Sequence, residues 1–168
     1  ALRGPNLWTR STAIEAIVQC ASNEHDIQQL PGFVDRLRAR FPQVGALHPK
    51  SAGQPVSLAD VLEAAALSLQ AQAGCRVTFS RTHETVEHGT YQVVVEYTEE
   101  SVGLLAMERA EALVQAALAD QPFDAQAVIA ELRELDEDDR IGPSTGSIVD
   151  AALARGIPIR RLTSGSLV

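Results

Sequence analysis

The stretch Ser57-Leu-Ala-Asp-Val-Leu-Glu-Ala-Ala-Ala-Leu-Ser-Leu-Gln-Ala-Gln-Ala-Gly74 constrains the chain most, because it is both the most apolar segment and a fully punctuated helix. Ser57 can accept a hydrogen bond from the open N–H groups of the first turn, and Asp60 and Glu63 suit the positive end of the helix dipole. Gly74 supplies a left-handed residue that ends a helix at little cost. Between these signals Leu58, Leu62, Ala65 and Leu69 form one ladder, widened by Val61 and Ala66. The alanines leave little side chain between this helix and its neighbours, so other elements can approach closely. A second ladder runs through Asp60, Glu63 and Ala64, where chemistry would be placed if the helix carried any.

The flanking sequence supplies partners for that helix. Residues 3–8 form a turn that carries Trp8 towards the core. Thr12 to Cys20 alternates, with Ile14, Ala16 and Val18 on one face, as a half-buried strand does. After a polar loop and Leu30-Pro31-Gly32, the residues Phe33, Val34, Leu37 and Phe41 recur at helical spacing, with Pro31 suited to a first turn and Pro42 as a stop. Val44 to Val56 reads as a loop, with a short strand possible at Val44–Leu47. Cys75 to Ser80 alternates as a second strand burying Cys75, Val77 and Phe79. A polar loop over 81–89 then leads to Thr90–Tyr97, where Tyr91, Val93, Val95 and Tyr97 share a face.

Glu99 to Asp120 is the longest helical pattern, with Val102, Ala106, Ala110, Leu113 and Ala117 on one stripe. Pro122 breaks it, and Asp124 caps a further helix through Val128, Leu132 and Leu135. That helix runs into Glu134-Leu-Asp-Glu-Asp-Asp139, a pattern usual for a solvated helix end or linker. At Ile141-Gly-Pro-Ser-Thr145 the texture changes: Ser144 can cap a short helix bearing Ile148, Val149, Ala152 and Leu153, followed by Gly156 and a β-branched run. The fold class is α+β, a small, mostly antiparallel sheet packed against several helices, with a short α/β segment at the C-terminus. Residues 1–140 read as one domain and 141–168 as the leading edge of a second.

With 168 residues and a formal net charge of −8, the chain lacks the basic footprint that nucleic acid requires. No apolar run approaches the ~20 residues of a membrane span, and no signal-peptide pattern is visible. Cys20 and Cys75 have no metal-ligand spacing and read as buried thiols, which points to a reducing, cytoplasmic setting. The sequence opens at Ala1 without a methionine, so a few residues are expected upstream.

Several stretches in order resemble the cyanophycin synthetase family: Leu2-Arg-Gly-Pro-Asn-Leu-Trp8, Leu30-Pro-Gly-Phe33, Leu67-Ser-Leu-Gln-Ala-Gln-Ala-Gly74, Thr90-Tyr-Gln-Val-Val-Val-Glu-Tyr97, and Ile141-Gly-Pro-Ser-Thr-Gly-Ser-Ile-Val149 with Ala154-Arg-Gly-Ile-Pro158. The resemblance implies an N-terminal domain ahead of an ATP-grasp module, whose first residues would be 141–168, and a Mur-ligase-like module. Together those modules polymerise aspartate and arginine into multi-L-arginyl-poly-L-aspartate. ATP and magnesium would serve the downstream modules, with no cofactor in this chain, which contains neither a P-loop nor a Rossmann glycine motif. The resemblance also implies that the parent enzyme is a homo-oligomer and that its N-terminal domain holds the cyanophycin polymer near the ligase sites. Holding raises the effective concentration of the chain end.

Some relatives use this domain as a metallopeptidase that trims polymer into primers, with His-x-x-Glu-His on the helix corresponding to 57–74. Histidines four apart can both reach zinc, and the glutamate handles the proton of metal-bound water. Here the same positions hold Asp60-Val-Leu-Glu63-Ala64, so the resemblance implies a degenerate site with neither catalytic residues nor metal. Of the four histidines, His25 and His48 fall in loops without helical partners, and His83 and His88 fall in the 81–89 loop. Each reads as solvated. The leading expectation is a non-catalytic polymer-docking and bracing domain. The alternatives are a residual hydrolase working through Asp60 and Glu63, and a purely structural or self-associating domain. For a zwitterionic polymer the candidate contacts are Glu96, Glu99 and Glu100 for its arginines, and Arg36, Arg38, Arg40 and Arg76 for its carboxylates.

Overall fold

The computed structural model describes residues 1–47, 53–139, 143–157, 161–163 and 166–167. His48 and the proposed boundary at 140/141 lie outside the described residues. Three strands, β1 (Ala13–Gln19), β2 (Ser80–Glu84) and β3 (Thr90–Glu96), form a sheet of order β1-β3-β2 in which both pairs are antiparallel. Helices α1 (Phe33–Arg40), α2 (Leu58–Ala73), α3 (Glu100–Leu118) and α4 (Ala125–Asp139) accompany it. The fold is α+β. Near the C-terminus, α5 (Pro143–Leu153) precedes a two-stranded antiparallel pair, β4 (Arg161–Thr163) and β5 (Ser166–Leu167).

Period-two alternation sets the sheet register. Ile14 stands opposite Val95, Ala16 opposite Val93 and Val18 opposite Tyr91, so these residues share one face. Val93 and Val95 on that face join one core with Val61, Ala65, Ala66 and Leu69 of α2, and with Val102, Ala106, Ala110 and Leu113 of α3. The caps expected of α2 are both present. The Ser57 hydroxyl accepts from the Asp60 N–H at 3.2 Å, the Asp60 carboxylate accepts from the Ser57 N–H at 2.9 Å, and Gly74 takes φ 102°. A reciprocal box of this kind satisfies two orphan N–H groups at once. Gly103 explains how closely α3 approaches the sheet: a Cβ there would lie 2.6 Å from Tyr97 Cβ and 3.2 Å from Ile14 Cγ1. Asp124 caps α4 as expected, accepting from the Ala127 N–H at 3.0 Å.

Four local expectations need correction. The second strand is Ser80–Glu84 rather than Cys75–Ser80, so His83 lies in a strand and the connection to β3 is short. Cys75 and Val77 are buried as expected, but the N–H groups of Thr78 and Phe79 bond to the Glu96 carboxylate (2.7 and 2.8 Å) instead of a strand ladder. Helix α1 starts at Phe33, after Gly32 at φ 69°, which leaves Pro31 outside the first turn. Val44–Leu47 forms no strand. The acidic run is not merely a solvated end, because α4 continues to Asp139 with Asp136 buried. Ser101 at the start of α3 donates to Asp139, and Thr98 to Asp136 at 3.5 Å, so the run fastens α4 to the entrance of α3.

Candidate functional site

The positions that would carry hydrolytic chemistry lie on the first two turns of α2. Asp60 is half-buried, and its carboxylate accepts from both the Ser57 N–H and the Ser57 hydroxyl (2.6 Å), so it closes the capping box. Glu63 is buried and lies against β2, where the Thr82 hydroxyl donates to its carboxylate. Thr82 also reaches the Ala59 carbonyl at 3.5 Å. Ala64, half-buried, offers a methyl. A zinc ion bound from one helical face needs two donors four residues apart, and Ala64 supplies none. The residues at these three positions do not fit that ion. Among the described residues no group of three or more His, Cys, Asp or Glu side chains converges to hold a metal.

Beside the N-terminus of α2 the structure brings together residues that the sequence kept apart. His25 Nδ1 lies 2.9 Å from the Tyr91 hydroxyl, and the His25 ring stacks on His88 with centroids 4.9 Å apart. His88 Nδ1 pairs with Glu84 at 2.8 Å, and Glu84 also accepts from the Gly89 N–H at 3.1 Å. The Gly89 N–H first, and then the His88 and His25 imidazoles, hold the Glu84 carboxyl below its ordinary range against the opposing effect of burial. Burial pushes the Tyr91 phenol up to about 12, helped by the negative fields of Glu84, Cys20 and Asp60 and opposed by a hydrogen bond with Ser57. Burial likewise raises the Cys20 thiol, and both cysteines are buried and outside any disulfide. A protonated thiol and phenol are weak nucleophiles, so this cluster ties the 21–29 loop to the β2–β3 turn. No spacing rule could have found it: His25 and Tyr91 are 66 positions apart.

The charged candidates do not form one surface patch. Arg36 donates to the Ala117 carbonyl at 2.6 Å and to the Pro31 carbonyl at 3.0 Å. Arg40 bonds the Gln121 carbonyl at 2.5 Å and Asp120 at 2.9 Å. These two guanidiniums fasten α1 to the C-terminal end of α3, where cations meet the negative end of the helix dipole. Glu96 is buried. Desolvation alone would raise its pKa, but hydrogen bonds from Thr78, Ser11 and Phe79 together hold it below the ordinary carboxylate range. Glu99 is half-buried at the N-cap of α3. Arg38, Arg76 and Glu100 are exposed.

A profile of the cyanophycin synthase-like N-terminal domain matches residues 15–119. That span holds α1, α2, α3, β2, β3 and all but the first two residues of β1. A cyanophycin synthetase of Trichormus variabilis is 32% identical over 188 residues, covering 99% of this chain and 20% of that protein. One from a Nostoc species matches to the same extent. One from Geminocystis herdmanii is 30% identical over 184 residues, covering 99% of this chain and 21% of its own length. The chain thus spans about a fifth of the length of these relatives. It belongs to the cyanophycin synthase-like N-terminal domain family.

Proposed function

We propose that this chain is the non-catalytic N-terminal domain of an ATP-dependent ligase that builds multi-L-arginyl-poly-L-aspartate, and that it docks the growing polymer and braces the downstream modules. The single observation that carries the reading is the use made of the α2 positions. Asp60 closes a helix cap, Glu63 lies buried under β2, and Ala64 offers no donor. A hydrolase needs a metal-bound or otherwise activated water open to substrate, and these side chains serve the fold instead. ATP and magnesium belong to the ATP-grasp and Mur-ligase-like modules, the parent acts as a homo-oligomer in the cytoplasm, and the polymer contacts fall on exposed charges, Arg38, Arg76 and Glu100 foremost. No helix among the described residues is long and apolar enough to cross a membrane.

Docking through exposed charges weakens with salt, because contacts longer than about a Debye length, ~10 Å at 0.1 M, are screened. Binding of polymer to the purified chain should therefore fall steeply as ionic strength rises. No binding at any ionic strength would sink the docking reading. A synthetase lacking this domain separates docking from bracing: an enzyme that stays assembled but elongates poorly indicates docking, and one that falls apart indicates bracing.

A further inference from the structure

Where β1 meets α2 and α3 there is a groove of about 380 Å³ whose floor and rim differ in chemistry. β1 pairs with β3 on one side. On the other, among the described residues, only Leu2 meets it, across Ala13, and alternation turns the backbone groups of Glu15, Ile17 and Gln19 that way. The buried and half-buried floor is aliphatic: Val18, Leu58, Leu62, Met107 and Val114. The rim carries Glu24, Glu108 and Glu111, and among the described residues no basic side chain lines the groove. Met107, Glu111 and Val114 recur at helical spacing beside the core stripe of α3, so that helix presents apolar and acidic groups together. Glu24 accepts from the Ala21 N–H at 2.7 Å and Glu108 meets Arg109 at 3.0 Å. Glu111 is exposed and has no hydrogen bond or ion pair among the described residues.

We propose that this groove takes arginine side chains of multi-L-arginyl-poly-L-aspartate, an inference that rests on the docking reading above. An arginine side chain is a planar cation on an aliphatic stem. The stem lies along Val18, Leu62 and Met107, as the stems of long cationic side chains cover apolar surface elsewhere. The guanidinium reaches the rim and forks to the Glu111 carboxylate. The carboxylate of the same arginine sits at the other end of the stem, beside the polymer backbone, and stays in water. At about 380 Å³ the groove is at the small end of ligand sites, roughly 300–1,000 Å³, which suits single side chains rather than a folded partner. An uncharged aliphatic occupant would cover Glu111 without pairing it. A second copy of the chain would bring two sets of Glu24, Glu108 and Glu111 together.

The one methionine of the chain lies in this groove, so the Met107 methyl is a single, unambiguous NMR reporter. Titration with the polymer should shift that methyl signal, and poly-L-aspartate without arginine should not. Glu111→Lys should weaken polymer binding roughly tenfold, and Glu111→Gln by less, with the other methyl signals unchanged as evidence of an intact fold. Polymer that binds while Met107 stays unmoved overturns the groove and spares the docking reading. So does an affinity that falls with Arg38→Glu, Arg76→Glu or Glu100→Lys but not with Glu111→Lys. Polymer that fails to bind at any ionic strength overturns both. Free L-arginine that shifts Met107 at the same guanidinium concentration assigns the groove to a small molecule, and a shift on raising protein concentration alone assigns it to a second copy; either result also overturns the proposal.

Discussion

The two sides of the three-stranded sheet are finished differently. Along β2 the strand is short and polar, and Thr82 turns inward to the buried Glu63 of α2. The segment just before β2 is held by Glu96, whose carboxylate takes the N–H groups of Thr78 and Phe79. Along β1 the strand is longer, carries exposed Ile17, and presents outward backbone groups above an apolar groove. Among the described residues, the side carrying Glu63 is fastened by side chains, and the β1 side displays aliphatic surface. The chemistry-bearing residue types Asp60, Glu63 and Glu96 have been drawn into fastening.

The contrast can be broken most severely from the sealed interior. Leu69 of α2 has no exposed surface, and Leu69→Ala should cost about 2–5 kcal/mol in denaturant unfolding, the usual cost of such a cavity. Ile17→Ala at the open edge should change the stability of the chain beginning at Ala1 by no more than about 0.5 kcal/mol. Comparable losses at the two positions would erase the distinction between the edges. A smaller effect is expected at the inward polar pair. Thr82→Val leaves Glu63 without its hydroxyl donor and should cost about 1–3 kcal/mol.

Glu96 gives the sealed side a pH dependence. Its carboxyl titrates below the ordinary carboxylate value in the folded chain, so its contribution is fully present above the unfolded pKa and is lost as pH falls through the folded value. Stability measured against pH should decline on acidification below about 4.3, the unperturbed glutamate pKa, and Glu96→Gln should flatten part of that decline. An unchanged acid limb in the variant would remove Glu96 from the account. A small effect also belongs to Arg109, which bonds Glu131 at 2.9 Å on a wet helix face. Arg109→Ala should cost at most about 1 kcal/mol after solvent screening.

Much of the fold could be read from residue pattern. Both caps of α2, the alternating faces of β1 and β3, the α3 stripe and the Asp124 cap follow from local spacing, which the backbone enforces. Local pattern misplaces the second strand because Cys75–Phe79 alternates as a strand does, yet the N–H groups of Thr78 and Phe79 are taken by the side chain of Glu96, a distant residue that local pattern cannot reveal. Asp136 falls in a run that reads as wet for the same reason, since its hydroxyl partner Thr98 comes from outside the helix. The identity of the candidate positions Asp60, Glu63 and Ala64 was legible in the sequence. Their burial and partners were not, and neither was the meeting of His25 with His88 and Tyr91.

The central claim, that the chain holds polymer without cutting it, is tested most directly by incubating the chain with arginyl-poly-aspartate, with zinc added or chelated, and resolving the products by size. The account predicts an unchanged size distribution in both conditions, with polymer still retained at low salt. Shortened polymer that appears with zinc and disappears with chelator would contradict it.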